Sequence, residues 1–386
     1  MQLPVDIPAV IKAATDMEGA AKTPVAVSVY IDDTAPTDCA GHVRAAFASA
    51  GSNARVTVGY MGAQPLVPYE QDDMAVIVAG TSDNIGEQAA TLRAAGIPVM
   101  VVTTIPDKVA AAAKASGHPI PSADLVSPTS KERKMPAFIV NAAKKVGIVS
   151  SDAEAEPSAR GEVVAELPAA EVEAGAAETA EMLDAAPLLT ADAVAALDKR
   201  MGEWIITACA DKKLAFALAF PFVRKPLSID AINATAMQNA GVGLVPLIPG
   251  ADMPIMTLNQ IKMLFQIATA YGEPLDMGRV KEVAAVVGGA FVCRNIARSA
   301  AGLVPVIGGV IQGGVGYAGT VAMGHAAVEY FESGGDMVGF ASVLQTARDG
   351  ATDAVKKAAS TPLGQKAFAK GKDFVKNAVF NGRKAK

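Results

Sequence analysis

The C-terminal half of the sequence contains two copies of one apolar unit. The segment 243–250 reappears as 302–309 with six of eight residues identical, at an offset of 59 residues, and the same offset carries Tyr271 onto Tyr330. Each copy reads as an apolar segment, a Gly-Pro turn and a second apolar segment that ends at the tyrosine, which predicts a duplicated helical hairpin. Chance similarity between segments rich in Gly, Val and Pro is the alternative. Two copies are too few for a solenoid, so the hairpins are expected to pack against each other or against lipid.

The second copy includes a long stretch without charge. No Asp, Glu, Lys or Arg occurs from Ser299 to Val328, and this length exceeds what a bilayer crossing needs. Pro305 argues against a simple span, and a single crossing would separate Arg298 from the Lys-rich C-terminus, against the positive-inside rule. A re-entrant hairpin or burial in an oligomer avoids that conflict, so membrane association and purely soluble burial both remain open. His325 is expected to be a core residue of this stretch.

The first 148 residues alternate between two patterns. β-branched segments at 25–31, 55–60, 74–79, 99–102 and 124–126 read as buried strands, and the helical segments 39–50, 84–95, 106–116 and 130–146 lie between them. Gly96 and Gly117 stand where helix C-terminal caps belong. This alternation predicts an α/β domain with a mostly parallel, doubly wound sheet, of the degenerate G-domain type or of the flavodoxin or Rossmann type.

The end of the first predicted strand is where a phosphate site would lie. The segment 32–42 contains three aspartates, one glycine and no lysine. A Walker loop needs glycines whose backbone N–H groups face the phosphates and a lysine that neutralises them. Neither this loop nor a dinucleotide fingerprint is present, so nucleotide hydrolysis by the usual mechanism is not expected.

Other segments are similar to a small GTPase domain in their order. Asp107, in Thr104-Ile-Pro-Asp107, follows the fourth strand where that family reads guanine with Asn/Thr-Lys-x-Asp, although Ile105 replaces the lysine. The segment 127–130 follows the fifth strand, where the family has its Ser-Ala-Lys loop. Asp107 is therefore the one candidate for cofactor binding, on condition that the domain retains nucleotide. No catalytic residue and no other cofactor is expected.

The cysteines and histidines form no metal-binding pattern. Cys39 and His42 make a Cys-x-x-His beside Asp38, but no second pair accompanies them, so a helix-start cysteine beside a partly exposed histidine is the preferred interpretation. The aspartates near the first strand end could bind Mg²⁺ and are expected instead to cap turns. The three cysteines lie far apart without Cys-x-x-Cys spacing, which predicts a reducing cytoplasm and no metal site.

The rest of the chain divides into an acidic linker, a helical domain and a basic tail. The segment 149–187 is rich in Ala, Glu and Pro, which predicts a flexible acidic linker. The helical domain follows at 188–345. Its first three helices are predicted from the cap Thr190 through Phe220, from Ser228 to Gly241, and from Pro254 to Gly272. Its amides, including Asn239, Asn259 and Gln260, lie in apolar surroundings and are expected to bond between the hairpins or to cap the Gly-Pro turns. The tail 346–386 is basic and contains aromatic residues, so it is expected to touch an anionic membrane or to be a solvated helix.

Several motifs of the helical half match one family. Ile229-Asp-Ala-Ile-Asn233, the segment 245–254, Asn259-Gln260, Thr320 with Gly324, and Tyr330-Phe331 resemble the YcjF-type domain, a bacterial domain of unknown function, over residues 226–333. In bacteria such domains follow GTPase domains and are described as membrane-associated. The resemblance implies a membrane-associated helical domain behind a GTPase-like sheet. It implies no catalytic residues.

These patterns predict a non-enzymatic scaffold or interaction protein that associates with itself. The net charge of −5 argues against nucleic acid as a partner. The expected location is the cytoplasm, at the inner face of the cell membrane. The alternatives are a guanine-nucleotide-dependent switch and a purely soluble structural assembly protein.

Overall fold

A parallel sheet lies at the centre of the N-terminal half. The structure, a computed structural model, describes residues 6–62, 64–129, 189–244, 252–276, 278, 280, 281, 283, 305–336 and 340. The strands are β1 (Val25–Asp32), β2 (Ala54–Met61), β3 (Met74–Val78), β4 (Val99–Val102) and β5 (Leu125–Val126), in the order β2-β1-β3-β4-β5 with all neighbours parallel. The predicted α/β fold with a parallel sheet is confirmed. The strand order reverses between β1 and β3, which makes that crevice the switch point of a doubly wound sheet.

Helices cover both faces of the sheet. The connecting helices are α2 (Thr37–Ala48), α3 (Ile85–Ala94) and α4 (Pro106–Ala115), as the sequence predicts. Gly96 and Gly117 end α3 and α4 with φ of +82° and +83°, a region that glycine adopts without strain. Helices α3 and α4 pack with β3 and β4 on one face of the sheet, and α2 packs on the opposite face. The predicted helix at 130–146, the linker 149–187 and the tail 346–386 lie outside the described residues.

The face of α2 also carries the first helices of the predicted helical half. These are α5 (Ala191–Ala208) and α6 (Lys213–Ala219), whose buried residues share one core with β1 and α2. Thr190 caps α5 as predicted, since its hydroxyl accepts the Ala193 N–H at 3.3 Å. The single helix expected through Phe220 is wrong, because a 3₁₀ turn (Ala210–Lys212) interrupts it. Lys212 holds that turn against the sheet by a 2.6 Å contact with Asp73.

The remaining helices form a second core. They are α1 (Ile7–Ala21), α7 (Pro221–Leu244), α8 (Asp252–Ala270) and α9 (Pro305–Glu332). The predicted start of α7 at Ser228 and its end at Gly241 are both wrong, since the helix contains Pro226 and runs through Leu244. Pro226 fits because Gly202 of α5 faces it without a side chain; a Cβ on Gly202 would lie 2.6 Å from the proline ring. Helix α7 therefore contacts both cores.

The two copies of the repeat differ at their C-terminal ends. Tyr271 follows the end of α8, whereas Tyr330, its counterpart at the 59-residue offset, lies inside α9. The turn segments 245–250 and 302–304 lie outside the described residues. Helix α8 ends at Gly272, with φ of +87°, as predicted.

Residues 319–328, the last part of the apolar stretch, have one face packed against protein. Met323, Ala327 and Val328 are buried in the second core, whereas His325 is exposed, so its predicted place in the core is wrong. The reason is helical period, since the buried residues mark one face of α9 and His325 lies off it. Among the described residues, no helix combines the length and the apolar character that crossing a bilayer requires.

Candidate functional site

The carboxyl edge of the sheet at the switch point is the first candidate site, because parallel α/β sheets bind ligands there. Asp32, the last residue of β1, is buried with 3% of its surface exposed. Its Oδ2 accepts the Gly80 N–H at 2.8 Å and the Thr34 hydroxyl at 2.6 Å, and its Oδ1 accepts the Ser82 hydroxyl. The carboxylate therefore joins the loops after β1 and β3 to each other.

The two loops touch closely at this point. A Cβ on Gly80 would lie 2.2 Å from the carbonyl carbon of Thr34, so only glycine fits here. The Thr34 hydroxyl also accepts the Thr81 N–H at 2.8 Å. Backbone N–H groups at the end of β3, which could face a bound anion, are thus used by the protein's own oxygen atoms. The aspartates were expected to cap turns; the Asp32 carboxylate instead links two loops, and the turn after β1 is closed by the Asp32 backbone carbonyl, which accepts the Ala35 N–H at 2.9 Å.

The segment after β1 is also tied to α5. Asp38, in the first turn of α2, accepts the Leu189 N–H at 2.7 Å through Oδ2, and the Cys39 N–H at 2.8 Å through Oδ1. His42 contacts Asp198 of α5 through Nε2 at 2.7 Å. The hydrogen bond to Asp198 raises the pKa of His42 above its ordinary value, against an opposing effect of burial. Asp38 lies beside the predicted Cys-x-x-His, and His42 is part of it. Their contacts hold α2 against α5 and against Leu189, which precedes α5.

Cys39 and Cys209, the cysteines in the described part of the chain, are both free thiols, the first buried and the second half-buried. Burial raises the pKa of both Cys39 and Cys209 to about 12, so both thiols are protonated at neutral pH. Within the residues that the structure describes, no three His, Cys, Asp or Glu side chains are grouped so that they could hold a metal ion. Cys293, the third cysteine, lies outside them.

Asp107, the predicted nucleotide-reading residue, lies at the same edge of the sheet but apart from Asp32. It is exposed in the first turn of α4, directly after Pro106. Ile105, which replaces the family's lysine, is half-buried, and its N–H donates to the Thr103 hydroxyl at 3.2 Å. In the loop after β5, the hydroxyls of Ser127 and Thr129 lie 3.2 Å apart. The edge therefore presents a carboxylate and hydroxyls.

The helical half contains a buried polar network, as the sequence predicts. Asn239 of α7 is fully buried and donates to the Thr320 hydroxyl of α9 at 3.0 Å and to the Met256 carbonyl at 3.4 Å. Gln260 of α8 donates to the same hydroxyl at 3.0 Å, and Asn259 donates to the Asn239 carbonyl oxygen at 3.1 Å. The expectation that these amides bond between helices is confirmed. Neutral groups thus set the register of α7, α8 and α9.

Beside this network lies a cleft of about 220 Å³ between α1, α6, α7 and α8. Its lining includes Lys213, Asp230, Asn259 and Lys262. Lys213 is already bound to Asp230 at 3.0 Å, and Asn259 to Asn239, so the cleft offers few uncommitted polar groups.

The outer edge of β2 is the second candidate site, which the sequence analysis did not identify. Tyr60 is 67% exposed and Val58 is 41% exposed, both high for an aromatic and a β-branched residue within a strand. The segment 55–60 is recognisable as a strand, but its place at the edge of the sheet depends on the strand order. The exposed apolar side chains and the strand edge together form a surface suited to another polypeptide.

Comparison with known proteins adds no relative. No family model matches the chain, and neither a curated protein nor a solved structure matches it. The resemblance to the YcjF-type domain therefore stays a prediction.

Proposed function

We propose that this chain is a non-enzymatic scaffold or interaction protein that associates with itself. The observation that carries this proposal is the use of Asp32 at the switch point. A carboxylate stands where a phosphate-binding loop would begin, and it accepts hydrogen bonds from Gly80, Thr34 and Ser82 of the protein itself.

Electrostatics supports this interpretation. Phosphate sites direct backbone N–H groups and lysine side chains toward the ligand. Here the Gly80 N–H donates to Asp32 and the Thr81 N–H donates to Thr34. Asp33 adds a second, exposed negative charge next to them. A triphosphate would have to displace these bonds and approach two carboxylates.

We further propose that the sheet is a degenerate G-domain. The loops after β1, β4 and β5 stand in the order of that family's phosphate, guanine-reading and Ser-Ala-Lys loops, and parallel strands bring them to one edge. An unrelated flavodoxin-type sheet is the alternative, because the strand order is also the flavodoxin-like one. Contact of the basic tail 346–386 with the inner face of the cell membrane completes the proposal. Flotation of the full chain with anionic vesicles, with and without the tail, tests that contact.

The second candidate function is a guanine-nucleotide-dependent switch. It is favoured by Asp107 alone, which is exposed at the carboxyl edge after β4. The two functions are separated by calorimetric titration of the full chain with GDP and GTP in the presence of Mg²⁺. The scaffold proposal expects no saturable heat. Tight, Mg²⁺-dependent binding that is lost in Asp107→Ala, but retained in the neighbouring Lys108→Ala control, would establish the switch instead.

A further inference from the structure

The two edges of the sheet differ in how they are closed. At one edge, β5 is only two residues long and α5 packs against it. At the other edge, β2 is eight residues long, and within the described part of the chain no strand pairs with its outer side. Natural sheets usually protect long edges with charges, prolines or bulges, because an open edge pairs with other chains. Strand β2 contains neither proline nor acidic residue.

The backbone of β2 has N–H and C=O groups that face away from β1, where another strand could pair with them. The Val25 N–H donates to the Asn53 carbonyl at 2.9 Å, and Val25 is in register with Ala54. In a parallel pair, alternate residues turn both peptide groups toward the neighbour, so Arg55, Thr57 and Gly59 continue this pattern toward β1. The residues between them direct their N–H and C=O groups outward. The Ala54 N–H already donates to the Gly51 carbonyl at 3.1 Å, which leaves Val56, Val58 and Tyr60 for pairing.

The side chains of this edge are apolar. Val58 and Tyr60 are in register with Val29 and Ile31 of β1, whose side chains are buried in the core that includes α2. Val58 and Tyr60 therefore lie on the same face of the sheet as α2, at its outer strand. Both remain exposed there. The strand's one charged residue, Arg55, already contacts Asp72 at 3.1 Å. The edge therefore presents apolar surface with no uncompensated charge.

We propose that β2 pairs in antiparallel fashion with β2 of a second copy of this chain, about a twofold axis at Val58, so that the two sheets become continuous. The inference rests on the proposed scaffold function and names its partner. An isologous contact requires a self-complementary surface. Centred at Val58, the pairing sets Val56 against Tyr60 of the second copy, an aromatic and β-branched pair, and joins outward-facing peptide groups.

Charge favours a second copy over an unrelated strand. In this register Arg55 lies opposite Met61 of the second copy, so no like charges meet. Because each strand lacks acidic and uncompensated basic residues, nothing on the edge would select an oppositely charged peptide. The self-paired arrangement joins the peptide groups of Val56, Val58 and Tyr60 and brings the exposed Tyr60 side chain of each copy against Val56 of the other.

The test uses a charge at the twofold axis in the full-length chain. Val58→Lys and Val58→Glu each place like charges opposite one another, so each variant is expected to be monomeric by sedimentation equilibrium where the wild type is dimeric. An equimolar mixture of the two variants is expected to restore the dimer as a lysine–glutamate heterodimer. Val67→Lys, at a valine 74% exposed outside the strand, is the matched control and should remain dimeric. Circular dichroism checks that each variant is folded.

Each other outcome overturns the inference. A monomeric wild type would show that the edge is free or is covered by another segment of the same chain. Variants that stay dimeric would place self-association elsewhere, for instance on the helices. Monomeric variants whose mixture stays monomeric would exclude the Val58-centred register. These results are independent of the nucleotide titration, so the scaffold function and this interface can fail separately.

Discussion

The two cores bury their polar groups in different ways. At the switch point of the sheet, one carboxylate, Asp32, accepts hydrogen bonds from two loops. Between α7, α8 and α9, neutral amides bond to a hydroxyl at Thr320. A buried charge must be fully hydrogen-bonded, whereas an amide tolerates a looser arrangement. The stability of the switch point is therefore expected to depend mainly on Asp32. In the helical core, several amides are expected to share the contribution of polar groups to stability.

The largest effect is expected from Asp32→Ala, which removes the acceptor of the Gly80 N–H and of two hydroxyls. We expect a loss of about 3 kcal/mol in the free energy of unfolding, because each hydrogen bond to a charged group contributes about 1.5 to 3 kcal/mol. Urea denaturation measures it. Asp33→Ala, at the exposed neighbour, is the control and should change stability by less than about 0.5 kcal/mol. Equal losses in both variants would remove the distinction.

Asn239→Ala examines the helical network. The substitution leaves the Thr320 hydroxyl without one donor and Asn259 without its acceptor, so we expect a loss of about 2 kcal/mol, within the range for buried unsatisfied groups. Asn233→Ala, on the same helix at a half-buried position, is the matched control. A loss as large as that of Asp32→Ala would contradict the idea that the amides share their contribution.

Two glycines compare close packing with open surface. Gly324 of α9 faces Ile232 of α7, and an added Cβ would lie 2.4 Å from its Cγ1, so Gly324→Ala should destabilise by about 1 to 3 kcal/mol. Gly41 of α2 has nothing within 4 Å of its added Cβ, and Gly41→Ala should stabilise by up to about 1 kcal/mol. Thermal unfolding measures both. Stabilisation by both substitutions would show that helix propensity outweighs close packing at Gly324.

The smallest effect is expected at His42. Because the pKa of His42 is raised in the folded state by Asp198, the pair contributes fully below about pH 6.5, the ordinary histidine value, and its contribution is lost as pH rises through the folded pKa. Both side chains are partly exposed, so the contribution is under about 1 kcal/mol. The difference in stability between wild type and Asp198→Asn should therefore shrink as pH rises. A difference that grows would contradict the assigned direction.

Much of the fold was predictable because it depends on local signals. The five strands and the helices α2, α3 and α4 follow from apolar periodicity, and the φ values of Gly96, Gly117 and Gly272 confirm their predicted caps. The break after Ala208 and the inclusion of Pro226 in α7 were not predictable. They depend on Lys212 reaching Asp73 and on Gly202 leaving room for the proline ring.

The candidate sites divide in the same way. The acidic segment after β1 already excluded a phosphate loop, but the acceptance of three hydrogen bonds by Asp32 requires Gly80 and Ser82 from a loop about fifty residues away. Asp107 was found at the predicted edge of the sheet, and its role stays a prediction. The β2 surface was not predicted. Val58 and Tyr60 are exposed because β2 lies at the edge of the sheet, and the sequence of the strand does not indicate that position.

By itself the sequence determined which segments are strands and helices, where a phosphate loop is missing and which amides must find partners, because these follow from side-chain chemistry and local period. The tertiary structure decided that β2 is an open edge, that α5 and α6 cover the sheet, and that Asp32 closes the switch point. Those features depend on contacts between residues far apart in the chain, whose pairing no local pattern specifies.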